Sequence, residues 1–322
     1  MRLPRLFRPE IFQGIKKKIN YFEGWYFKCV DEKAKNVMAF IPGVSYGNNT
    51  EESHAFIQVI DASRNRSGYF SFPISDFKYA KDTLDLQIGK NSFSEDGLTL
   101  FLDNGAMSYM GSLHFNDPQH FPKSLCCPGI MGPFSFLPFM ECYHGIVHVN
   151  SCISGSLFID SNEHDFDNGT GYIEKDWGTS FPESWIWVQC NHFSVPKMSF
   201  MLSYAHIPFL GRSFNGLISF LSINNKLYKL ATYNGARIDF LEYKNNTLSV
   251  LAESPRHTLN MTVTIKPGNE LKAPKKGIMT NNIIESMTSD IDLSFISKKG
   301  KLIFTGRGTV AGVEIGGSFS DN

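Results

Sequence analysis

The sequence lacks an excess of either charge. Lys and Arg together number 31, as do Asp and Glu, and charged residues make up only 19% of the chain, against about 25% in ordinary globular proteins. Proteins that bind nucleic acid present an excess of basic residues to neutralise phosphates. The balance therefore predicts no nucleic-acid partner, while the 42% apolar share is enough for a sizeable core.

The sequence also lacks paired cysteine motifs and long apolar runs. None of its cysteines forms a C-x-x-C pair, which argues against zinc-ribbon and thioredoxin-like sites and favours reduced thiols. No targeting segment is recognisable, and no stretch approaches the roughly 20 apolar residues that span a bilayer. We therefore expect a cytoplasmic protein. The six cysteines are Cys29, Cys126, Cys127, Cys142, Cys152 and Cys190.

Helical periodicity is almost absent as well. Short runs of alternating apolar and polar residues dominate, and turn-forming pairs such as Asn224-Asn225 and Asn245-Asn246 separate them, which is typical of antiparallel strands. About sixteen such runs are too many for one small barrel of ~8 strands and enough for two. One short helix is expected around Asn281–Ser289.

We predict an N-terminal arm over residues 1–19 and two β-domains over 20–165 and 166–322, divided at the polar segment SNEHDFDNGT. The arm is basic and could contact an anionic membrane surface. The alternative is a solvated arm that begins to pack near Ile11 and Phe12. The basic residues of the arm are Arg2, Arg5, Arg8, Lys16, Lys17 and Lys18.

Aromatic residues are abundant, at 14% of the chain, and all four tryptophans fall in two segments. In the first, alternation places Tyr21, Glu23, Trp25 and Phe27 on one face of a strand. A carboxyl group between large aromatic side chains is unusual on a solvent-facing surface and costly in a core. This segment is therefore a candidate for function.

The second segment runs from Gly171 to Phe193 and contains two further faces. Alternation places one acidic face on the first strand and one face of indoles and amides on the next. A carboxyl group flanked by such residues at a barrel mouth suits acid–base catalysis or ligand orientation. The acidic face comprises Tyr172, Glu174 and Asp176, and the second face comprises Trp185, Trp187, Gln189 and Asn191.

Three blocks of sequence resemble the tocopherol cyclase family: FEGWYFK at 22–28, EKDWGTSFPESWIWVQCNHF at 174–193 and GTVAGVEIGG at 308–317. The segment FLPFMECYHG at 136–145 is similar to the region that precedes the central block. The resemblance implies two tandem lipocalin-like antiparallel β-barrel or sandwich domains, as in carotenoid hydratase-type proteins. It also implies closure of a chromanol ring from a hydrophobic, prenylated quinol.

That reaction needs an acid that protonates an alkene and a dry aromatic lining for the carbocation. The candidate proton donors are Glu174, Asp176 and Glu23. The indoles of Trp25, Trp177, Trp185 and Trp187 could each supply about 1–2 kcal/mol of cation–π stabilisation. The candidates for holding the phenol oxygen are Gln189, Asn191, Tyr172 and His192. No metal and no other cofactor is required.

Each of these residues also has a purely structural interpretation. Glu174, Lys175 and Asp176 could form an ion-pair network at the domain junction, Glu23 could bind backbone at a strand crossing, and the tryptophans could fill the core. His144 and His148 are predicted to share a strand face.

With His206, these two histidines could bind zinc, against the interpretation that each is satisfied or solvated. Two other functions also stay open. One is a hydratase of an isoprenoid double bond, and the other is a carrier of an apolar ligand without chemistry.

Overall fold

The computed structural model describes residues 3–138, 140–209 and 211–317, and it confirms the predicted all-β class. The chain divides into two compact units and contains two antiparallel sheets. The first unit runs to Phe181 and also includes Leu271–Asn282, and the second comprises Pro182–Glu270 and continues from Ile283. Within the described residues, no helix is long and apolar enough to cross a bilayer.

The first sheet has twelve strands and forms a nearly closed barrel, with strand order β4-β3-β2-β1-β12-β10-β9-β8-β7-β6-β5 and β11 paired to β10. A short helix α1 (Leu3–Leu6) precedes it. The strands are β1 (Tyr21–Val30), β2 (Val37–Tyr46), β3 (His54–Asp61), β4 (Arg66–Pro73), β5 (Phe77–Tyr79), β6 (Asp85–Ile88), β7 (Asn91–Ser94), β8 (Gly97–Asp103), β9 (Ser108–His120), β10 (Cys142–Ile159), β11 (Asn162–Asp165) and β12 (Gly169–Gly178).

The second sheet has eleven strands in the order β17-β16-β15-β13-β23-β22-β20-β19-β18, with β14 paired to β23 and β21 paired to β22. Within the described residues of both units, four 3₁₀ turns connect the strands, at Ala62–Arg64, Ile74–Asp76, Gly132–Phe136 and Thr232–Asn234. The strands are β13 (Ser184–Cys190), β14 (His192–Phe193), β15 (Ser199–Phe209), β16 (Arg212–Ile223), β17 (Lys226–Ala231), β18 (Arg237–Lys244), β19 (Thr247–Glu253), β20 (His257–Thr264), β21 (Asn269–Lys275), β22 (Ile278–Ser297) and β23 (Leu302–Gly316).

Strand β12 belongs to the first sheet, because it pairs with β1 on one side and with β10 on the other. The division predicted at residues 165 and 166 would have placed this strand in the second domain. In the structure the two units divide after Phe181 instead. The sequence blocks 22–28 and 174–178 therefore lie side by side on neighbouring strands.

The helix expected over Asn281–Ser289 is wrong, since these residues lie in β22. Glu285 and Ser286 pair with β23 opposite Glu314 and Val313. Pairing with a neighbouring strand therefore outweighs the local helical preference. The turns at Asn224-Asn225 and Asn245-Asn246 are confirmed, because all four asparagines adopt positive φ between adjacent strands.

Each unit has its own apolar core. In the first, the ring of Phe27 lies 5.5 Å from that of Phe93 and 5.9 Å from that of Phe115. In the second, buried aliphatic side chains from both halves of the sheet pack together, among them Ile186, Leu202, Val250, Met261, Leu293 and Val313. These cores fix which face of each strand is turned inward.

The N-terminal segment packs onto the first unit from Ile11 and Phe12, which are 1% and 2% exposed. The ring of Phe12 lies 4.3 Å from the ring of Tyr79. Residues 16–18 are exposed lysines, and Arg2 lies outside the described residues. Contact of this basic arm with a membrane stays a prediction.

Candidate active site

The predicted acidic face of β12 is confirmed by the strand register. Glu174 lies directly between Tyr26 of β1 and Ile146 of β10. Tyr172 and Asp176, two residues to either side of Glu174, point to the same face. This carboxyl group therefore has a phenol ring and an aliphatic side chain as its cross-strand neighbours.

Hydrogen bonds join this face to His144 of β10, and we call Tyr172, Glu174, Asp176 and His144 the acid cluster. The Tyr172 hydroxyl donates to Glu174 Oε2 at 2.6 Å. His144 Nδ1 lies 2.8 Å from Asp176 Oδ1, and its Nε2 lies 3.5 Å from Glu174 Oε2. The Glu174 side chain is 6% exposed and that of Asp176 is 27% exposed. One imidazole thus bridges a buried carboxyl group and a more accessible one.

The electrostatics of the cluster keep its phenol protonated. Burial raises the pKa of Tyr172 well above its usual range, and the neighbouring Glu174 raises it further. Burial also raises the pKa of the Cys142 thiol, which lies 3.9 Å from Asp176 Oδ1. Tyr172 is therefore a fixed hydrogen-bond donor to Glu174.

Glu23, the third predicted proton donor, lies in a different environment. Its carboxyl group is fully buried and accepts hydrogen bonds from the Gln13 and Gly14 amides at 2.7 Å and 2.9 Å. The Tyr21 hydroxyl donates to it as well, and Lys175 forms an ion pair with it. Every contact is with a donor, so the geometry favours the interpretation that Glu23 binds backbone and holds the N-terminal segment.

Lys175 lies on the face of β12 opposite to the acid cluster. Its ammonium group donates to the carbonyl oxygens of Pro9 at 2.8 Å and Ile11 at 2.6 Å. It lies over the rings of Trp25 and Trp177, 4.6 Å and 4.8 Å from their centroids. Burial lowers the pKa of Lys175 to about 8, while Glu23 opposes that shift, so the ammonium form dominates at neutral pH.

Two predicted cation-binding indoles are therefore not beside the predicted acids of β12. Trp25 and Trp177 share a strand face with Glu23 and enclose Lys175, whereas Glu174 and Asp176 point to the other face. Trp177 and Lys175 are two positions apart on β12, so their side chains point to the same face and the Trp177 ring lies over the Lys175 ammonium group. The structure thus corrects the grouping of these indoles with a Glu174 or Asp176 donor.

Three members of the next predicted row, Trp185, Trp187 and Gln189, lie on one face of β13, and Asn191 follows the end of that strand. The Trp185 indole donates to Glu314 Oε2 at 3.0 Å. The Gln189 amide donates to Asn191 Oδ1, and the Ser199 hydroxyl donates to the same oxygen at 3.1 Å. Gln189 is fully buried. These side chains form an ordered polar row in the second unit, and their role in ligand binding stays a prediction.

Two indoles of this row explain two of the glycines in the block at 308–317. Gly312 pairs with Gln189, and Gly316 pairs with Trp185. A Cβ atom at Gly312 would lie 2.8 Å from the Trp187 ring, and one at Gly316 would lie 2.3 Å from the Trp185 ring. Any larger residue would displace the indoles.

His144 is a member of the acid cluster that the sequence did not single out for this role. The prediction that His144 and His148 share a strand face is wrong. His144 lies opposite Asp176 but His148 lies opposite Ile173, and the register shifts between Ile146 and His148. Such an irregularity reverses the faces of the residues that follow it, up to the next shift, and simple alternation does not reveal it. His206 contacts Asn215 within the second unit.

The ligand atoms of His144, Glu174 and Asp176 lie within 4.8 Å of one another, so these three side chains could also hold a metal ion. They already satisfy one another in part through the bond between His144 and Asp176 and the bond from Tyr172 to Glu174.

Solved structures with the same fold place the chain in a class of lipocalin-like, all-antiparallel β-proteins. A crystal structure of CghA with Sch210972 has a TM-score of 0.57 and 11% identity, covering 92% of this chain and 89% of that chain. A putative AttH from Nitrosomonas europaea has a TM-score of 0.51 and 10% identity, covering 91% and 92%. Kievitone hydratase from Nectria haematococca has a TM-score of 0.50 and 10% identity, covering 95% and 94%. At these identities the likeness concerns the fold alone.

Within that class, the tocopherol cyclase-like family matches residues 119–317, more than half of the chain. The chain belongs to the tocopherol cyclase-like family. The probable chloroplastic tocopherol cyclase of Oryza sativa subsp. japonica is 28% identical over 199 residues, which are 58% of this chain and 42% of the rice protein. The chloroplastic tocopherol cyclase of Zea mays is 35% identical over 71 residues, 22% of this chain and 14% of the maize protein. In each case the match spans less than half the length of the curated relative.

Proposed function

We propose that the protein is an enzyme that closes a chromanol ring in a hydrophobic, prenylated quinol, with Glu174 as the proton donor. The observation that carries this proposal is the acid cluster, in which a nearly buried carboxyl group contacts a phenol and an imidazole. Membership of the tocopherol cyclase-like family supports an enzymatic role and a prenyl-type ligand.

The proposed reaction starts with transfer of the Glu174 proton to the less substituted carbon of the alkene. A C–H bond forms, the acid O–H bond breaks, and a tertiary carbocation results. The phenol oxygen then attacks this cation and loses its own proton to the Glu174 carboxylate. The net change is an isomerisation, so the product has the mass of the substrate.

The other members of the cluster position and restore the acid. The Tyr172 hydroxyl donates to Glu174 Oε2 at 2.6 Å and so holds the carboxyl group in position. His144 lies between Glu174 and the more exposed Asp176. This order offers a path for protons between the buried acid and the surroundings if the carboxylate is not reprotonated directly.

The test is an incubation of the purified chain with a prenylated hydroquinone, followed by chromatography and mass spectrometry. The wild-type protein should produce a compound of unchanged mass and altered retention. Glu174→Gln should lower the rate by at least 100-fold, as expected when a general acid is removed. Asp176→Asn should reduce it less, because Asp176 acts through His144.

The matched control is Glu32→Gln, since Glu32 is an exposed carboxylate of the same unit. It should retain the wild-type rate. A product heavier by one water would instead indicate a hydratase, and ligand binding without any product would indicate a carrier. Full activity in Glu174→Gln would exclude Glu174 as the donor.

A further inference from the structure

A second group of histidine and carboxylate side chains lies in the first unit, apart from the acid cluster. Glu95 is in the turn between β7 and β8, His120 ends β9, and His148 lies directly opposite His120 on β10. Glu95 Oε2 lies 3.9 Å from His120 Nδ1 and 3.9 Å from His148 Nε2. The centroids of the two imidazole rings are 5.2 Å apart. Three separate segments of chain thus bring three ligand atoms together.

His148 is the unusual member of this group. Its side chain is 0% exposed, yet neither ring nitrogen has a hydrogen-bond partner among the described residues. Buried polar groups are nearly always hydrogen-bonded, and one left unsatisfied is costly. Other histidines have such partners: His54 contacts Tyr69 at 2.6 Å and His206 contacts Asn215 at 2.9 Å. An ion bound between His148 and Glu95 would satisfy one of these nitrogens, Nε2, which faces the carboxylate.

The donor set and its spacing suit a divalent transition metal. Two imidazoles and one carboxylate are a common zinc ligand set, with bonds of about 2.0–2.2 Å and therefore ligand atoms about 3.4 Å apart in a tetrahedron. The two separations from Glu95 are 3.9 Å, and all three ligand atoms lie within 4.8 Å of one another, which is close to that spacing. Burial lowers the pKa of His148, which favours the neutral imidazole that binds metals.

Solvent exposure of two of these side chains would let a metal ion reach the group. The His120 side chain is 54% exposed and that of Glu95 is 31% exposed, whereas His148 forms the buried floor. An ion can enter from the exposed side, and water can complete its coordination there. We infer that Glu95, His120 and His148 form a binding site for a divalent transition-metal ion such as Zn²⁺, which would join the β7–β8 turn to β9 and β10.

The test is a titration of the full chain with Zn²⁺ in competition with a chromogenic chelator, after removal of metals with EDTA. The chain should carry Cys126→Ser and Cys127→Ser, because adjacent accessible thiols bind zinc themselves. We expect one tight site per chain and a melting temperature that rises with added Zn²⁺. Glu95→Gln and His120→Gln should each weaken that site at least tenfold and abolish the rise.

His114→Gln is the matched control, since it removes an exposed histidine from the same strand. It should bind Zn²⁺ as tightly as its parent. Because Glu95 and His120 are partly exposed, their variants are informative even where a His148 variant fails to fold. The inference is overturned if the parent protein has no tight Zn²⁺ site, or if Glu95→Gln and His120→Gln bind Zn²⁺ as tightly as the parent. It is also overturned if Asp176→Asn, rather than these variants, removes the site.

Discussion

At the scale of single residues, Lys175 is the clearest case of a buried charge with every contact defined. Its ammonium group is enclosed by the Glu23 carboxylate, two backbone carbonyl oxygens and two indole faces. The carbonyl groups belong to Pro9 and Ile11, so this lysine holds the N-terminal segment against the barrel. The family-like block at 22–28 thus has a structural role in addition to any role in chemistry.

Lys175→Met should lower the free energy of unfolding by about 3–5 kcal/mol, because it leaves the Glu23 carboxylate buried without its counter-ion. The double variant Glu23→Gln/Lys175→Met should lose less, since no charge remains buried. Urea denaturation measures both values. Lys33→Met, at an exposed lysine of the same unit, should stay close to wild type. A Lys175→Met protein as stable as wild type would contradict the proposed role of this ion pair.

At the scale of strands, alternation predicted the faces of β1, β12 and β13 correctly. Those strands are regular, so Glu23 and Trp25, or Tyr172 and Glu174, share a face as the period of two requires. The same rule failed on β10, where the register shift after Ile146 sends His144 and His148 to opposite faces. Three of the four residues of the acid cluster were therefore evident from the sequence, and its histidine was not.

Gly312→Ala and Gly316→Ala should each destabilise the second unit by about 1–3 kcal/mol, because the new methyl group would overlap an indole ring. Thermal and urea denaturation measure this effect. Gly24→Ala is the matched control in a strand, since its Cβ would have its nearest contact at 3.7 Å. Equal stability of Gly312→Ala and Gly24→Ala would show that Trp187 does not need the close approach.

At the scale of the whole chain, composition and turn spacing predicted an all-β protein with strands enough for two barrels, and the structure confirms the all-β class. The division between the units was not predictable in the same way. Segment 271–282 joins the first unit through Gln58, which exchanges hydrogen bonds with the backbone of Lys272 at 3.0 Å and 2.8 Å. That contact joins residues 214 positions apart, and local patterns do not encode such a pairing.

The decisive measurement for an acid-initiated ring closure is incubation of the full chain with a prenylated hydroquinone in D₂O, followed by mass spectrometry and NMR of the product. Exchangeable acids such as Glu174 carry deuterium in D₂O. The cyclised product should therefore gain one deuterium, on the former alkene carbon adjacent to the carbon that forms the new C–O bond. The Glu174→Gln protein should form little of this labelled product. A cyclised product without deuterium would contradict protonation of the alkene as the initiating step.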